Sequence, residues 1–368
     1  MTIDNTLDQI RSELARDLMA DRDTRTPFNP TPFDVYVASS GLQKGIRRGD
    51  TETALRSTAR LMEDDPARFW RRIVVIAFED IGIGDLKLVG HVAAVSGQKR
   101  WRAGHGGEWF IAAHLVKRMC EANKDRTADD LLHLVEFDDR LIDHRKCWGH
   151  ANIDRLTDFI GRRDISLPEK ALAAWLGIGT ARWRSSVLVK RQGFPDNVFE
   201  RFRDLGVDPM LVDVCQAGLG KMAYALPTFL PLIQQAAKSK TPTPVSDDFP
   251  HHASINGMPA CEFDGYTRHG KQSIKALLNQ SDRLRGFLKD KAPEKGWPKI
   301  VALVLFRIEG GLMASRLRWG LGDQIREDAD LCGRGIALEA VPEAMYTMRD
   351  ELPRLNDIRA RIVAGKGE

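Results

Sequence analysis

Asp65-Pro66 opens a run in which Phe69, Ile73, Ile76 and Ala77 recur at three-to-four spacing, and Gly82 stands where that run can stop. Aspartate accepts hydrogen bonds from the free N–H groups of a first helical turn, and proline at the first helical position gives up no bond the helix would have made. The run therefore predicts a helix, although Ile73 to Phe78 alone imitates an apolar strand. Arg68, Arg71 and Arg72 fall in register with that helix.

The same punctuation recurs along the chain. Asp50 can cap a helix with the stripe Ala54, Leu55, Leu61 and Met62, and residues 1 to about 24 read as an exposed amphipathic helix through Leu7, Ile10, Leu14 and Leu18. After the glycine break Gly104–Gly107 comes a helix with Phe110, Ile111, Leu115 and Met119. Further helices are predicted near 127–136, 151–161, 168–178, 196–204, 209–217, 222–238, 270–289, 298–318 and 339–364. Alternating β-branched segments are scarce, so the expected class is an all-α multi-helix bundle. Its expected parts are an N-terminal helix and proline-rich arm over 1–37, helical domains over 38–165 and 166–238, a connector over 239–260 and a C-terminal helical domain over 261–368.

Composition narrows the class. A hydrophobic fraction of 43% and a charged fraction of 29% suit a folded globular chain, and the longest strongly apolar run is too short for a bilayer. The polar start MTIDNTLDQI lacks the pattern of a signal peptide, and the five cysteines have no paired spacing. The expectation is a cytoplasmic protein with reduced thiols and no membrane partner. A net charge of +4 permits nucleic acid as a partner without requiring it.

Two segments imitate nucleotide sites and fail. Ile73–Asp80 resembles a strand ending in magnesium ligands, but its flanks are helical. Gly265–Gln272 has the glycine and lysine spacing of a phosphate loop, yet Gln272 stands where a hydroxyl should bind magnesium. No intact phosphate loop is present, and the balance of motifs is against catalysis.

Ser39–Asp50 with Lys44, Arg47 and Arg48, then Ala54-Leu55…Ala59-Arg60-Leu61-Met62, then Asp65-Pro66…Arg71-Arg72-Ile73-Val74…Glu79-Asp80-Ile81-Gly82, form a specific series. It resembles the C-terminal helical region of the clamp-loader-like AAA ATPases of the MgsA/RarA type, over roughly residues 38–136. In that family the region is the collar through which subunits assemble, and the ATP site lies in a separate AAA module. The resemblance implies a helical, homo-oligomeric relative of the collar in DNA replication or repair, without the AAA module. Arg71, Arg72, Glu79 and Asp80 are then expected to fix helix packing or a subunit contact, with Asp80 able to cap the next helix.

Candidate nucleic-acid contacts are Lys44, Arg47 and Arg48, with two places where cations flank tryptophan: Lys99-Arg100-Trp101-Arg102 and Arg182-Trp183-Arg184. Cation plus aromatic platform is what single-stranded nucleic acid needs. His144, Cys147 and His150 lack a fourth ligand for zinc, so neither a metal nor a cofactor is expected. In the last third, Asp264, Tyr266, Thr267, His269 and Lys271 precede a predicted helix, while Glu309 and Arg316 are expected on one face of a helix over Val301–Leu317. These seven form a candidate pocket.

The functional expectation is a DNA-replication or repair accessory protein that hydrolyses no ATP. It would act by oligomerisation and by binding DNA, a replication ATPase or its own subunits. The alternatives are an enzyme built on the Asp264–Lys271 and Glu309 pocket, and a purely structural oligomer of a mobile element.

Overall fold

Acidic and hydroxyl side chains set the helix starts. Asp34 accepts from the N–H groups of Tyr36 and Val37 at 2.9 and 3.0 Å, Asp50 from Thr53 at 3.0 Å and Asp65 from Arg68 at 2.9 Å. The computed structural model describes residues 2–21, 26–238, 241–251 and 253–365. Among the described residues the strands form only two short antiparallel pairs, so the all-α multi-helix expectation holds. No described helix is long and apolar enough to cross a membrane.

The chain divides into two units that are each discontinuous in sequence, not into the five consecutive parts expected. The first comprises Met1–Thr26, Trp70–Val245 and Ser315–Cys332; the second comprises Pro27–Phe69, Ser246–Ala314 and Gly333–Glu368.

In the first unit, helix Ile3–Ala20 packs on helices Leu86–Val95 and Pro209–Leu219. Its stripe Leu7, Ile10, Leu14 and Leu18 is buried, so the helix is part of the core rather than an exposed arm. Burying each such side chain stabilises by roughly 1.5–3 kcal/mol. The end expected for this helix, residues 22–24, lies outside the described residues. Helix Leu167–Ile178 packs on Thr127–Phe137 and Leu226–Ala237. Strand Thr243–Val245 pairs with Arg316–Arg318, Thr243 opposite Arg318. Helix Gly320–Leu331 then follows, an element without a counterpart among the predicted helices.

In the second unit, helices Val35–Arg48 and Thr51–Asp64 form a tight hairpin. Gly49 turns the chain in the left-handed region (φ 70°), and a Cβ on Gly45 would stand 2.8 Å from the backbone nitrogen of Ala54. Only glycine allows that approach. The remaining core is built by helices Arg268–Gln280, Asp282–Lys289, Trp297–Leu305 and Val341–Val363 around Leu277, Leu288, Val304 and Leu355. The expected helix 270–289 is split at Ser281, whose hydroxyl caps the second helix at Leu284 N (3.0 Å). The expected helix 298–318 also fails. After Leu305 the chain widens into a π-turn, Phe306–Gly310, and Gly310-Gly311 ends it. The connector expected over 239–260 contains strand Thr243–Val245 and a hairpin pairing Ser254–Ile255 with Met258–Pro259; residues 239, 240 and 252 lie outside the described residues.

Candidate functional site

Three polar arrangements stand out. The first lies in the first unit, where helix Pro66–Ile76 continues into a π-turn, Ala77–Ile81. The wider turn carries Glu79 and Asp80, and Asp80 is fully buried. Arg126 donates to Glu79 Oε1 at 3.0 Å and also to Asp80 and Asp129. Burial alone would lower the Arg126 pKa, but Asp129, Asp80 and Glu79 hold it well above its ordinary value. Asp80 thus takes a buried guanidinium rather than capping the next helix; Asp85 does that, accepting from Leu88 N at 2.9 Å. Gly82 ends the run as expected, with φ 51° and the Asp125 carbonyl 2.6 Å from where a Cβ would sit.

Two neighbours of Arg126 were not singled out by sequence. Burial pushes the Asp125 carboxyl up to about 6, against hydrogen bonds from Trp319 Nε1 (3.0 Å) and the Thr127 hydroxyl (3.1 Å). Burial lowers Lys124 to about 8, and its ammonium donates to the Cys120 and Ala122 carbonyls at 2.6 and 2.5 Å. The only sequence signal was the run Lys124-Asp125-Arg126 after a helix end, and charge runs are usually solvated. Of the expected packing pair, Arg71 is exposed and Arg72 half-buried.

The second arrangement fills the second unit and corrects several expectations. Lys44 is turned inward: its ammonium donates to Ser40 Oγ and Asp264 Oδ2, both at 2.5 Å. Burial would raise the Asp264 pKa, but Lys44 outweighs it and holds the carboxylate below its usual range. Arg47 donates to the Gly310 carbonyl, and Arg48 to that of Glu309 at 2.6 Å. With Lys44 and Arg47 buried and all three cations committed, this triplet does not present a nucleic-acid contact. Arg359 grips Glu309 with two bonds, 3.1 and 2.5 Å, and its Nε donates to the Phe263 carbonyl at 3.1 Å.

Of the seven expected pocket residues, Asp264 and Glu309 join this network. Thr267 caps the following helix at Gly270 N (3.0 Å), and His269 packs edge-on to Phe33 and Phe263. Tyr266 and Lys271 are exposed. Arg316 lies on a strand in the other unit and pairs with Asp323 at 2.7 Å, so it leaves the pocket. Sequence reasoning passed over Glu262, which is buried with no partner for Oε2. Burial, opposed by Lys44 and Arg48, pushes its pKa to about 7.

The third arrangement is basic and belongs to the first unit. The last carbonyls of a helix lie beyond its own N–H ladder; at the end of helix Leu86–Val95 the Gln98 N–H reaches Val95 O at 3.0 Å, and cations reach the others. Lys221 donates to Ala93 O (2.6 Å), Arg11 to Ala94 O (3.1 Å), and Arg102 to Val95 O (2.6 Å) and Ser96 O (2.8 Å). These cations meet the negative end of the helix dipole. Burial, with Arg11 and Arg102 nearby, lowers Lys221 to about 8. Lys221 brings the two tryptophan segments together. Its neighbours Leu219 and Gly220 accept from Trp183 Nε1 (3.2 Å) and Arg182 (3.0 Å), while its ammonium lies 3.5 Å from where a Gly97 Cβ would sit. Lys99, Arg100, Arg182 and Arg184 are exposed. Trp101 is half-buried, its ring stacked on His105 at 4.0 Å. Arg102 is committed to Glu108 (3.0 Å) and sits over the Trp70 ring, and Trp183 is buried, so neither is an open contact.

Among the described residues no three His, Cys, Asp or Glu side chains are grouped to hold a metal ion; His144 lies 3.3 Å from Glu169. No protein-family model, curated protein or solved structure matches the chain.

Proposed function

We propose that this chain is a nucleic-acid-binding helical protein, related to the collar of the clamp-loader-like AAA ATPases and acting without ATP hydrolysis of its own. DNA, a replication ATPase and further copies of the chain are its proposed partners. One observation supports the reading most: segments 99–102 and 182–184, about 80 residues apart, converge at the end of helix Leu86–Val95. Exposed Lys99, Arg100, Arg182 and Arg184 supply phosphate contacts, and the Trp101–His105 stack supplies an aromatic surface for a base. The cations beneath are fixed on carbonyls, so positive potential is held there without loose side chains to order.

Fluorescence anisotropy with single-stranded, duplex and forked DNA across a salt series tests this. The Lys99→Glu/Arg100→Glu double variant is expected to weaken binding on the order of 10–100-fold at low salt and to flatten the single-strand salt slope by about 1.4. Trp101→Ala is expected to cost about 1–3 kcal/mol on single strands and less on duplex. Unchanged affinity in the double variant would remove this face from the interface.

A further inference from the structure

Helix Arg268–Gln280 of the second unit has one buried face and one cationic face. Gly270, Ser273, Ile274, Leu277 and Leu278 are buried, while Arg268, Lys271, Gln272, Lys275 and Asn279 are exposed. At 3.6 residues per turn the exposed positions lie on one stripe. No acidic residue occurs between Asp264 and Asp282. Among the described residues Arg268, Lys271 and Lys275 form no ion pair. Arg361 of helix Val341–Val363 adds a cation at the far end, its guanidinium 3.5 Å from Gln280 Oε1. Elsewhere helical cations find acids three or four residues away: Arg11 meets Asp8, Arg60 meets Asp64 and Arg285 meets Asp282. Like charges at that spacing repel, and the positive end of the helix dipole lies under Arg268. An anionic partner along the stripe relieves both costs. Tyr266, two residues ahead of the first cation, is 81% exposed and offers an aromatic ring.

We infer that this face binds the phosphate backbone of single-stranded nucleic acid, with Tyr266 stacking on a base. From Arg268 to Gln280 the stripe is about 18 Å long, room for roughly five phosphates of one strand at about 3.4 Å per step. It carries no large apolar side chain, so it is not built to enter a lipid surface. The surface uses none of the residues around Trp101. It shares with that basic face only the class of partner, so the two residue sets are tested separately.

Fluorescence anisotropy of labelled oligo(dT) with the full chain across a salt series is the test. Arg268→Gln/Lys271→Gln/Lys275→Gln should weaken binding about tenfold or more at low salt. The salt slope should flatten by about 2, at roughly 0.7 per lost phosphate contact. The same fall is expected in the Lys99→Glu/Arg100→Glu background. Lys289→Gln/Lys295→Gln/Lys299→Gln removes as much charge from exposed positions elsewhere in the unit and should change the slope far less. Tyr266→Ala should cost about fivefold or more. Equal losses in the two triple variants overturn the inference, as does a parent that binds no oligo(dT) at low salt. Poly-glutamate that competes as well as unlabelled oligo(dT) overturns nucleic acid as the partner. Unchanged affinity in Tyr266→Ala overturns the stacking role.

Discussion

Arg126→Met is expected to destabilise the first unit by about 3–5 kcal/mol at pH 8, the usual cost of removing one partner from a buried ion cluster. The guanidinium is 2% exposed and holds Asp80, Glu79 and Asp129 together. Methionine keeps much of the volume but leaves three carboxylates facing one another without a cation. They relieve the repulsion by taking up protons, so the deficit should shrink as the pH falls from 8 to 5. Urea unfolding of both proteins at the two pH values measures it. A loss below about 1 kcal/mol at pH 8 would mean that the cluster contributes little net stability, which buried ion pairs sometimes do.

Glu262→Gln should have the opposite sign. In the folded chain burial pushes the carboxyl to about 7, against 4.5 in an ordinary setting. Between those values the folded state keeps a proton that the unfolded state has released. Stability from this group therefore falls as pH rises from 4.5 to 7 and stays lowered above that. The full penalty is about 3 kcal/mol at 1.36 kcal/mol per unit. Glutamine, like the protonated acid, is neutral and leaves the same position unpartnered, so the comparison isolates the charge. The variant should be about 3 kcal/mol more stable than the parent at pH 8 and equal to it near pH 4.5. A difference that does not change with pH would show that Glu262 is not the group that titrates.

Local chemistry was legible in the sequence. The caps at Asp50 and Asp65, the stop at Gly82 and the stripe Leu7, Ile10, Leu14 and Leu18 all depend on residues within a few turns of one another, and each is found. Partner choice was not legible. Asp80 meets Arg126 across 46 residues, Lys44 meets Asp264 across 220, and Glu309 meets Arg359 across 50. Helical periodicity places a charge on a face but does not say what covers that face. Lys44 and Arg47 read as a surface pair because lysine and arginine usually are. Gly41 and Gly45 let the neighbouring helix close on Val35–Arg48, and the segment Ala260–Asp264 packs there as well, leaving these cations inside. The two π-turns are one residue wider than the periodicity assumes. The second, with its glycine pair, ended a helix that the apolar pattern alone would have carried to Leu317. The acidic–arginine knot was missed for the same reason, since it gathers residues that share no local pattern.

The interleaving of the two units limits how the chain can be dissected. Composition invites a cut in the proline-rich stretch near residue 245, separating an amino-terminal fragment from a carboxy-terminal one. That fragment would lack Arg316–Arg318, the partner of strand Thr243–Val245, and Trp319, which donates to Asp125. The complementary fragment would lack the hairpin Val35–Asp64, and with it the lysine that neutralises Asp264. Neither half carries a whole hydrophobic core, so truncation libraries should yield insoluble products on both sides of the cut, while point substitutions in the intact chain remain informative.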